Sequence, residues 1–502
     1  MLNSLKTYTK NNLFAIIASS IIFLLIYITW LATNPIHYDT FLYEATPGVH
    51  YDSAQIGRWG LCLFKSLING WIFNKFLEKI LGYIAIICSM IIFGFAGKYL
   101  TQKNEKIWPW FGLLIVSSPM VCNMLYFEMM LIGTGMGFLL TALSVLFNFA
   151  FIYKKNPVYC LIGIVCGTIA FGCYQAFLNI YISFALLIFV LRYINKKWNL
   201  KEILILIAQF IFMYFANWII ANLSGANSSY DYNTITWGSV PIDQSILTVI
   251  KSIGKILIDP PYCFTIIYTV LTIATIILAT IFLIQKLLNK NYSYLLIWLC
   301  IGIFELSTFF IIIVKGGGII PPRGDLAYAY VMAGNILIIY NILNTYKVKF
   351  LKKTGLIIML ICVLFSNISI TEKMLYNDYV RNDKDVQVLN EVNSDLHKYD
   401  IKPVVFVGYC QPKLNGLVTE DFDTINTSIL NEKKMNQISD TYFHTENLIN
   451  VFKASSINTD LNPASSSQIN EATQIAKNMN SYPNPGYIKD CGDYLIVKLG
   501  ED

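Results

Sequence analysis

Between Thr33 and Trp59 the sequence TNPIHYDTFLYEATPGVHYDSAQIGRW gathers three carboxylates (Asp39, Glu44, Asp52), two of the chain's four histidines (His37, His50) and Arg58. A carboxylate can take the proton from an attacking hydroxyl, and it is a stronger base when partial burial raises its pKa. Asp39 is the most suggestive of the three, because it follows the first apolar run closely and is flanked by His37, Tyr38 and Phe41. Glu44 and Asp52 are the alternatives, and any one of these acids alone also reads as a solvated loop residue. A second group is cationic. Lys315 and Arg323 bracket Gly-Gly-Gly-Ile-Ile-Pro-Pro, a run whose glycines and prolines impose a sharply shaped loop. With Arg58 they suit a phosphate, to which Arg presents paired donors. Snorkelling interfacial cations are the simpler reading of the same residues. Tyr174-Gln175 interrupts two apolar runs and either hydrogen-bonds a sugar or caps a helical hairpin. Asn123 and Glu128 carry the same two readings. His37 and Trp59 complete the candidate substrate contacts. Glu305 lies inside an apolar run, where an acid is a functional candidate by default, with a structural hydrogen bond as the alternative.

The elements that must position these groups are apolar. Of 502 residues, 55% are hydrophobic and 14% charged, with a mean hydropathy of +0.54, whereas a soluble globular chain carries about 25% charged residues. The apolar runs have the ~20-residue length of spanning helices and lack the alternation of barrel strands. Spans are expected at roughly 13–33, 79–98, 107–121, 128–152, 157–173, 176–193, 202–222, 262–285, 293–314, 326–345 and 354–370. The expected fold is therefore a polytopic α-helical membrane protein of about eleven transmembrane helices. The first run is longer than a signal-peptide core and no Ala-x-Ala-like site follows it, so it is expected to remain as a span. No paired CxxC pattern points to zinc or redox chemistry, and neither a nucleic-acid partner nor a metal is expected.

Alternate loops hold the basic residues: Lys6 and Lys10; Lys98, Lys103 and Lys106; Lys154 and Lys155; Arg192, Lys196, Lys197 and Lys201; Lys286 and Lys290; Lys347, Lys349, Lys352 and Lys353. Only Glu105 and Glu202 oppose them there. The positive-inside rule then puts the N-terminus inside and the C-terminus outside. The outer face receives a first loop (34–78), a long loop (223–261), the 315–325 loop and the tail. Trp59–Leu77 and Ile246–Ile258 read as helices lying along the outer interface.

Composition changes at Thr371. The division is a transmembrane catalytic domain over 1–370 and an extracytoplasmic α/β domain over 371–502, the latter with nineteen acidic and twelve basic residues. Strands are expected at Lys402–Gly408 and Tyr494–Leu499, with helices around 383–399 and 466–480. Cys410 and Cys491 sit just past the first strand and just before the last. An outside location allows a disulfide between them, with two free thiols as the alternative.

The order of these features resembles the bacterial glucosyl transferase II family of serotype-converting, O-antigen-modifying membrane enzymes. The resemblance rests on an Asp-containing first outer loop leading into Gly57-Arg58-Trp59, then Tyr174-Gln175 at a tight outer hairpin, then Pro322-Arg323 before a late span, over roughly residues 20–345. The family often has paired aspartates in the first loop; here the counterpart is His37-Tyr38-Asp39-Thr40, with one. The wider class is the GT-C superfamily. The resemblance implies a GT-C-like multi-pass protein of the bacterial plasma membrane. It implies a polyprenyl-phosphate-linked sugar donor, with glucose as the sugar expected of this family, and a surface polysaccharide acceptor. A first-loop carboxylate would act as base in an inverting displacement, and Arg58, Arg323 and Lys315 would stabilise the departing lipid phosphate without a cofactor. A flippase of lipid-linked sugars is the alternative and predicts charged or broken helices at midmembrane. A polysaccharide polymerase or ligase is a further alternative.

Overall fold

The computed structural model describes residues 1–37, 40–45, 53–69, 72–102, 106–194, 199–226, 235–261, 263–318, 321–346, 354–412, 427–431, 441–455, 457 and 460–501. Among them, eight helices are long and apolar enough to cross a membrane, or ten if each of two bent pairs forms one span. This is a polytopic helical membrane protein. The bent pairs are Leu2–Asn11 with Leu13–Ile26, at 77°, and Trp108–Val116 with Pro119–Leu125, at 59°. The expected fifth span is the helix Pro157–Cys173, 17 residues long and so shorter than the rest.

The second bend has a local cause. Pro119 follows Ser118, whose extended backbone (ψ 138°) and side chain start a new helix by accepting the Met120 N–H. The carbonyls freed at the break need partners inside an apolar bundle. Helix Leu356–Leu396 supplies them: Asn367 Nδ2 donates to Leu114 O at 3.2 Å, and Thr371 Oγ1 donates to Ser117 O at 3.0 Å.

The expected interfacial segment 59–77 differs in the structure. A helix covers Trp59–Asn69, and the next begins at Lys75 and runs to Thr101. Asn74 is the reason, since its side chain accepts the Leu77 N–H and caps a fresh helix. Lys75 and Lys79 thereby stand on the first turns of a spanning helix. The helix expected along the interface at 246–258 runs Ile242–Ile258 and buries Ser245, Val249, Ser252 and Ile256 along one stripe.

Helix Leu356–Leu396 has 41 residues and passes through 370–371 without a break, about 60 Å of rod at 1.5 Å per residue. Beyond it lies a three-stranded sheet: β1 (Val404–Val407), β2 (Ile488–Asp490) and β3 (Leu495–Lys498), in the order β1-β3-β2. β1 and β3 are parallel, with Val404 opposite Leu495, and β2 is antiparallel to β3. Helices Thr441–Ala454 and Ser466–Ala476 pack on β1. The parallel register separates the two tail cysteines. Cys410 follows β1 and Cys491 precedes β3, so they fall at opposite ends of the strand pair, beyond disulfide reach, and both are free.

Contacts between loops show which helix ends share a face. Arg58 lies over the Tyr174 ring, Arg323 N donates to Asn123, Thr236 N donates to Lys315 O, and His37 pairs with Asp378. The first loop, the 126–128 and 174–175 corners, the 235–265 segment, the 316–326 loop and the tail therefore gather at one end of the bundle.

Candidate active site at one end of the bundle

The site is organised around the short turn Phe127–Met130, which joins Pro119–Leu125 to the spanning helix Leu131–Lys154. All four residues are buried. Each receives a different arm of the protein. Arg323 Cζ stands 4.7 Å over the Phe127 ring. Thr40 Oγ1 donates to Met129 Sδ at 3.6 Å, which fixes the first-loop helix Thr40–Ala45. Arg58 NH1 donates to Met130 Sδ at 3.5 Å, and the same guanidinium lies 4.9 Å from the Tyr174 ring centroid.

Glu128, the remaining residue of the turn, is the hub of a buried ion network. Lys79 Nζ is 2.9 Å from its Oε1, Lys75 Nζ is 3.1 Å from its Oε2, and His37 Nδ1 is 3.6 Å from Oε2. Lys75 also pairs with Glu44 at 2.9 Å and donates to Pro35 O; Lys79 donates to Trp30 O at 2.8 Å. On the far side, His37 Nε2 meets Asp378 Oδ2 at 2.8 Å, and that oxygen also accepts from Trp30 Nε1 at 2.7 Å. Arg381 bridges Asp378 Oδ1 and Asp385 Oδ2, each at 2.8 Å, and donates to Ile36 O at 3.0 Å. Asp385 finally accepts from Ser428 Oγ and Ile429 N. Four basic groups (His37, Lys75, Lys79, Arg381) thus meet four carboxylates (Glu44, Glu128, Asp378, Asp385), a formally neutral set when His37 is imidazolium. Neutrality is what lets so many charges leave water together. Burial alone would lower the His37 pKa, but Asp378 and Glu128 override it and raise it. Burial pushes the Glu44 carboxyl up, against the opposing pull of Lys75.

The network clamps the first loop at Ile36–His37, directly before residues 38–39. Helix Thr441–Ala454 of the tail packs on Thr40–Ala45 directly after them. Asp39, Asp52 and His50 lie outside the described residues. The structure therefore sets the frame on both sides of Asp39 and places Glu44 in an ion pair.

The Arg58 arm has its own support. Gly57 adopts φ +78°, a conformation glycine takes without strain, and so turns the chain into helix Trp59–Asn69. A Cβ on Gly60 would stand 2.7 Å from Ile169 O and 2.8 Å from Cys173 N, so only glycine lets this helix touch the end of Pro157–Cys173. Trp59 lies across that same end and donates Nε1 to Asn217 at 2.9 Å. Gln175 Nε2 donates to Ile56 O at 3.1 Å. Arg58, Trp59, Tyr174 and Gln175 are thus brought together, as their order in the sequence suggests. Arg58 Nε is buried without a hydrogen-bond partner among the described residues, an available donor beside the turn. Lys315 is held elsewhere along the rim: its backbone carbonyl accepts from Thr236, and Trp237 Nε1 donates to Ile313 O at 2.7 Å.

Several residues of this site escaped the sequence reading. Lys75, Lys79, Asp378, Arg381 and Asp385 read as loop or tail charges. Their signal was spacing: 75 and 79 lie one helical turn apart at the head of an apolar run, and 378, 381 and 385 fall on the stripe that carries Leu375, Val388, Leu389 and Val392. Asp325, two residues past Arg323, is 1% exposed, and neither carboxylate oxygen has a hydrogen-bond partner among the described residues. Burial pushes its carboxyl well above the usual range. Among the described residues no group of three or more His, Cys, Asp or Glu side chains is placed to hold a metal ion.

A protein-family model described as glucosyl transferase GtrII matches residues 31–340, more than half of the chain and nearly all of the membrane part from the first loop onward. No curated protein matches the chain.

Proposed function

Because the chain belongs to the glucosyl transferase GtrII family and is therefore a membrane glycosyltransferase, we propose that it moves a glucosyl group from a polyprenyl-phosphate donor to a hydroxyl of a surface polysaccharide such as O-antigen. The reaction takes place at the outer face of the bacterial plasma membrane, with the N-terminus inside and the tail outside. The alternation of basic loops supports this orientation. The observation that carries the reading is the convergence of Thr40, Arg58 and Arg323 on the Phe127–Met130 turn. It sets the residue next to Asp39 and two guanidinium groups around one buried corner.

In the proposed displacement, Asp39 accepts the proton of the acceptor hydroxyl. The hydroxyl oxygen forms its bond to the anomeric carbon as the bond to the phosphate oxygen breaks on the opposite side, so the centre inverts. The lipid phosphate leaves as an anion, stabilised by Arg58 and Arg323, with Lys315 further along the rim. Glu44 and Asp52 are the alternative bases; the ion pair of Glu44 with Lys75 favours a positioning role for it. Both nitrogens of His37 face protein carboxylates, which makes it a positioning residue. Tyr174, Gln175 and Trp59 shape the wall on the Arg58 side, and the tail borders the acceptor side.

The test is transfer of radiolabelled glucose from polyprenyl-phosphate glucose by the purified protein, comparing wild type with Asp39→Asn, Glu44→Gln and Asp52→Asn. Loss of the base lowers kcat about 10²–10⁴-fold. Arg58→Gln and Arg323→Gln each cost about 1.5–3 kcal/mol, roughly 10–100-fold, the worth of a charged hydrogen bond. Undiminished transfer by Asp39→Asn removes Asp39 as the base, and no transfer from any polyprenyl-phosphate sugar overturns the donor assignment.

A further inference from the structure

The helix Lys75–Thr101 runs from the site just described to the opposite end of the bundle. Lys98 lies about 35 Å along it from Lys75 at 1.5 Å per residue, slightly more than the thickness of a hydrocarbon core, about 30 Å. Lys98 therefore stands at headgroup level. The helix Leu2–Asn11 crosses this end, turned 77° from the Leu13–Ile26 helix that follows it. Tyr8 seats it: the residue is 3% exposed, and its ring centroid is 5.8 Å from that of Phe95. A Cβ on Gly94 would lie 2.4 Å from the Tyr8 hydroxyl, so glycine makes the room for this anchor. Between the two helices lies an open groove of about 480 Å³, within the range of small-molecule sites, about 300–1,000 Å³. Phe95 and Tyr99 give it aromatic walls, and Ser4, Thr7, Lys98 and Gln102 give it polar ones.

We propose that this groove binds the headgroup of one anionic phospholipid, with the phosphate at Lys98. Lys98 Nζ stands 5.7 Å over the Tyr8 ring and has no carboxylate partner among the described residues. Lys154 adds a second cation, 6.0 Å from the Tyr99 ring centroid. Among the described residues the acid at this end is Glu202, whose carboxylate accepts from the Tyr193 hydroxyl. The groove is thus positive, and basic pockets between spanning helices suit lipid phosphates. Ser4 and Gln102 carry donors for phosphate or ester oxygens. The Thr7 hydroxyl donates to Asn3 O at 2.9 Å, which leaves its oxygen to accept from a headgroup hydroxyl. A lipid fits better than a soluble phosphate because an apolar track continues from the groove. Ile92, Cys88 and Ile84 follow Phe95 at steps of three or four residues along one side of the helix. Ile92 is half-buried, and Cys88 and Ile84 are exposed. Snorkelling accounts for a lysine at this depth, but not for a groove held open by the Tyr8 anchor. The site stands independently of the glycosyl-transfer reading.

The test is native mass spectrometry of full-length protein in a neutral detergent, titrated with phosphatidylglycerol or phosphatidylethanolamine of the same acyl chains. The expected result is one retained phosphatidylglycerol, bound more tightly than phosphatidylethanolamine. Lys98→Gln should weaken it at least tenfold, the worth of a charged hydrogen bond. Lys201→Gln removes an exposed charge at the same end, away from the groove, and should weaken it less than Lys98→Gln does. Ser4→Phe fills the groove, keeps every charge and should also weaken binding; Ser4 is exposed, so this variant keeps the proposal testable if Lys98→Gln does not fold. The proposal is overturned if phosphatidylethanolamine binds as tightly, if Lys98→Gln and Lys201→Gln weaken binding equally, or if Ser4→Phe leaves it unchanged. Displacement of the lipid by an equal concentration of glycerol phosphate overturns it too, in favour of a soluble anion.

Discussion

Replacing Asp378 by Asn separates the two halves of the buried network with the least change of shape. In the wild type, Asp378 Oδ2 takes the Trp30 indole N–H at 2.7 Å and pairs with His37 at 2.8 Å, while Oδ1 takes Arg381 at 2.8 Å. Asn keeps one acceptor oxygen and puts an NH₂ where the other stood, so it confronts at least one of these donors with a donor. Asp378, His37 and Arg381 are all fully buried, so water cannot repair the loss. Removing one member of a buried charge pair costs about 3–5 kcal/mol, a change of roughly 10²- to 10⁴-fold in a local opening equilibrium. The unfolding assay is at hand in the protein itself: Cys122, Cys173 and Cys263 are buried, and a thiol-reactive fluorophore reports their exposure on heating. His37→Asn and the Asp378→Asn/His37→Asn pair complete a double-mutant cycle. Contact between the two residues predicts a coupling energy of about 1–3 kcal/mol, and hydrogen exchange of residues 40–45 should rise in every variant. A melt of Asp378→Asn that coincides with wild type, or strictly additive single effects, refutes the network as the clamp on the first loop.

The His37 pKa is raised in the folded protein, so its contribution to stability is complete below the unfolded value of about 6.5 and is lost as pH rises through the folded value. The melting temperature should fall on that alkaline limb, and His37→Asn should flatten it. Asp325 behaves in the related sense: its folded pKa is raised, so ionisation in the unfolded state disfavours folding near neutral pH. Asp325→Asn should therefore raise the melting temperature at pH 7.5, with the gain vanishing below about pH 4; a lower melting temperature at pH 7.5 contradicts a neutral buried acid. Gly60→Ala inserts a methyl group 2.7 Å from Ile169 O and should cost about 1–3 kcal/mol by overpacking. Its transferase kcat should fall toward that of Arg58→Gln, because Arg58 shifts with the helix; wild-type kinetics in Gly60→Ala rule this out.

Hydropathy made the membrane character and most helix positions legible, because a bilayer demands long apolar runs. The meeting of Arg58, Tyr174 and Gln175 was legible too, since corners at the same end of a bundle face one another. The ion network was not. Asp378 and Arg381 look like ordinary charges of an acidic tail, and nothing in local periodicity reveals a partner 341 positions away. Lys75 falls in the expected first loop and Lys79 at the outermost edge of the expected span, because the Asn74 cap starts the helix earlier than the apolar run does. The choice between a disulfide and two free thiols in the tail stayed open for a related reason, since strand direction cannot be read from strand composition. Glu305 stood out as an acid in an apolar run, but its hydrogen-bond partners Thr272 and Asn335 come from two other helices.

The 341-residue separation between His37 and Asp378 also orders events in time. The ribosome makes the first loop early and the end of the Leu356–Leu396 helix late. At 5–20 residues per second the gap is roughly 20–70 s. Once residue 128 has been made, Glu128, Lys75 and Lys79 can already meet His37, whereas Asp378 and Arg381 do not yet exist. The clamp before Asp39 closes only when the last long helix is in place. Synthesis therefore leaves each nascent chain with an unfinished clamp until about three quarters of it has been built.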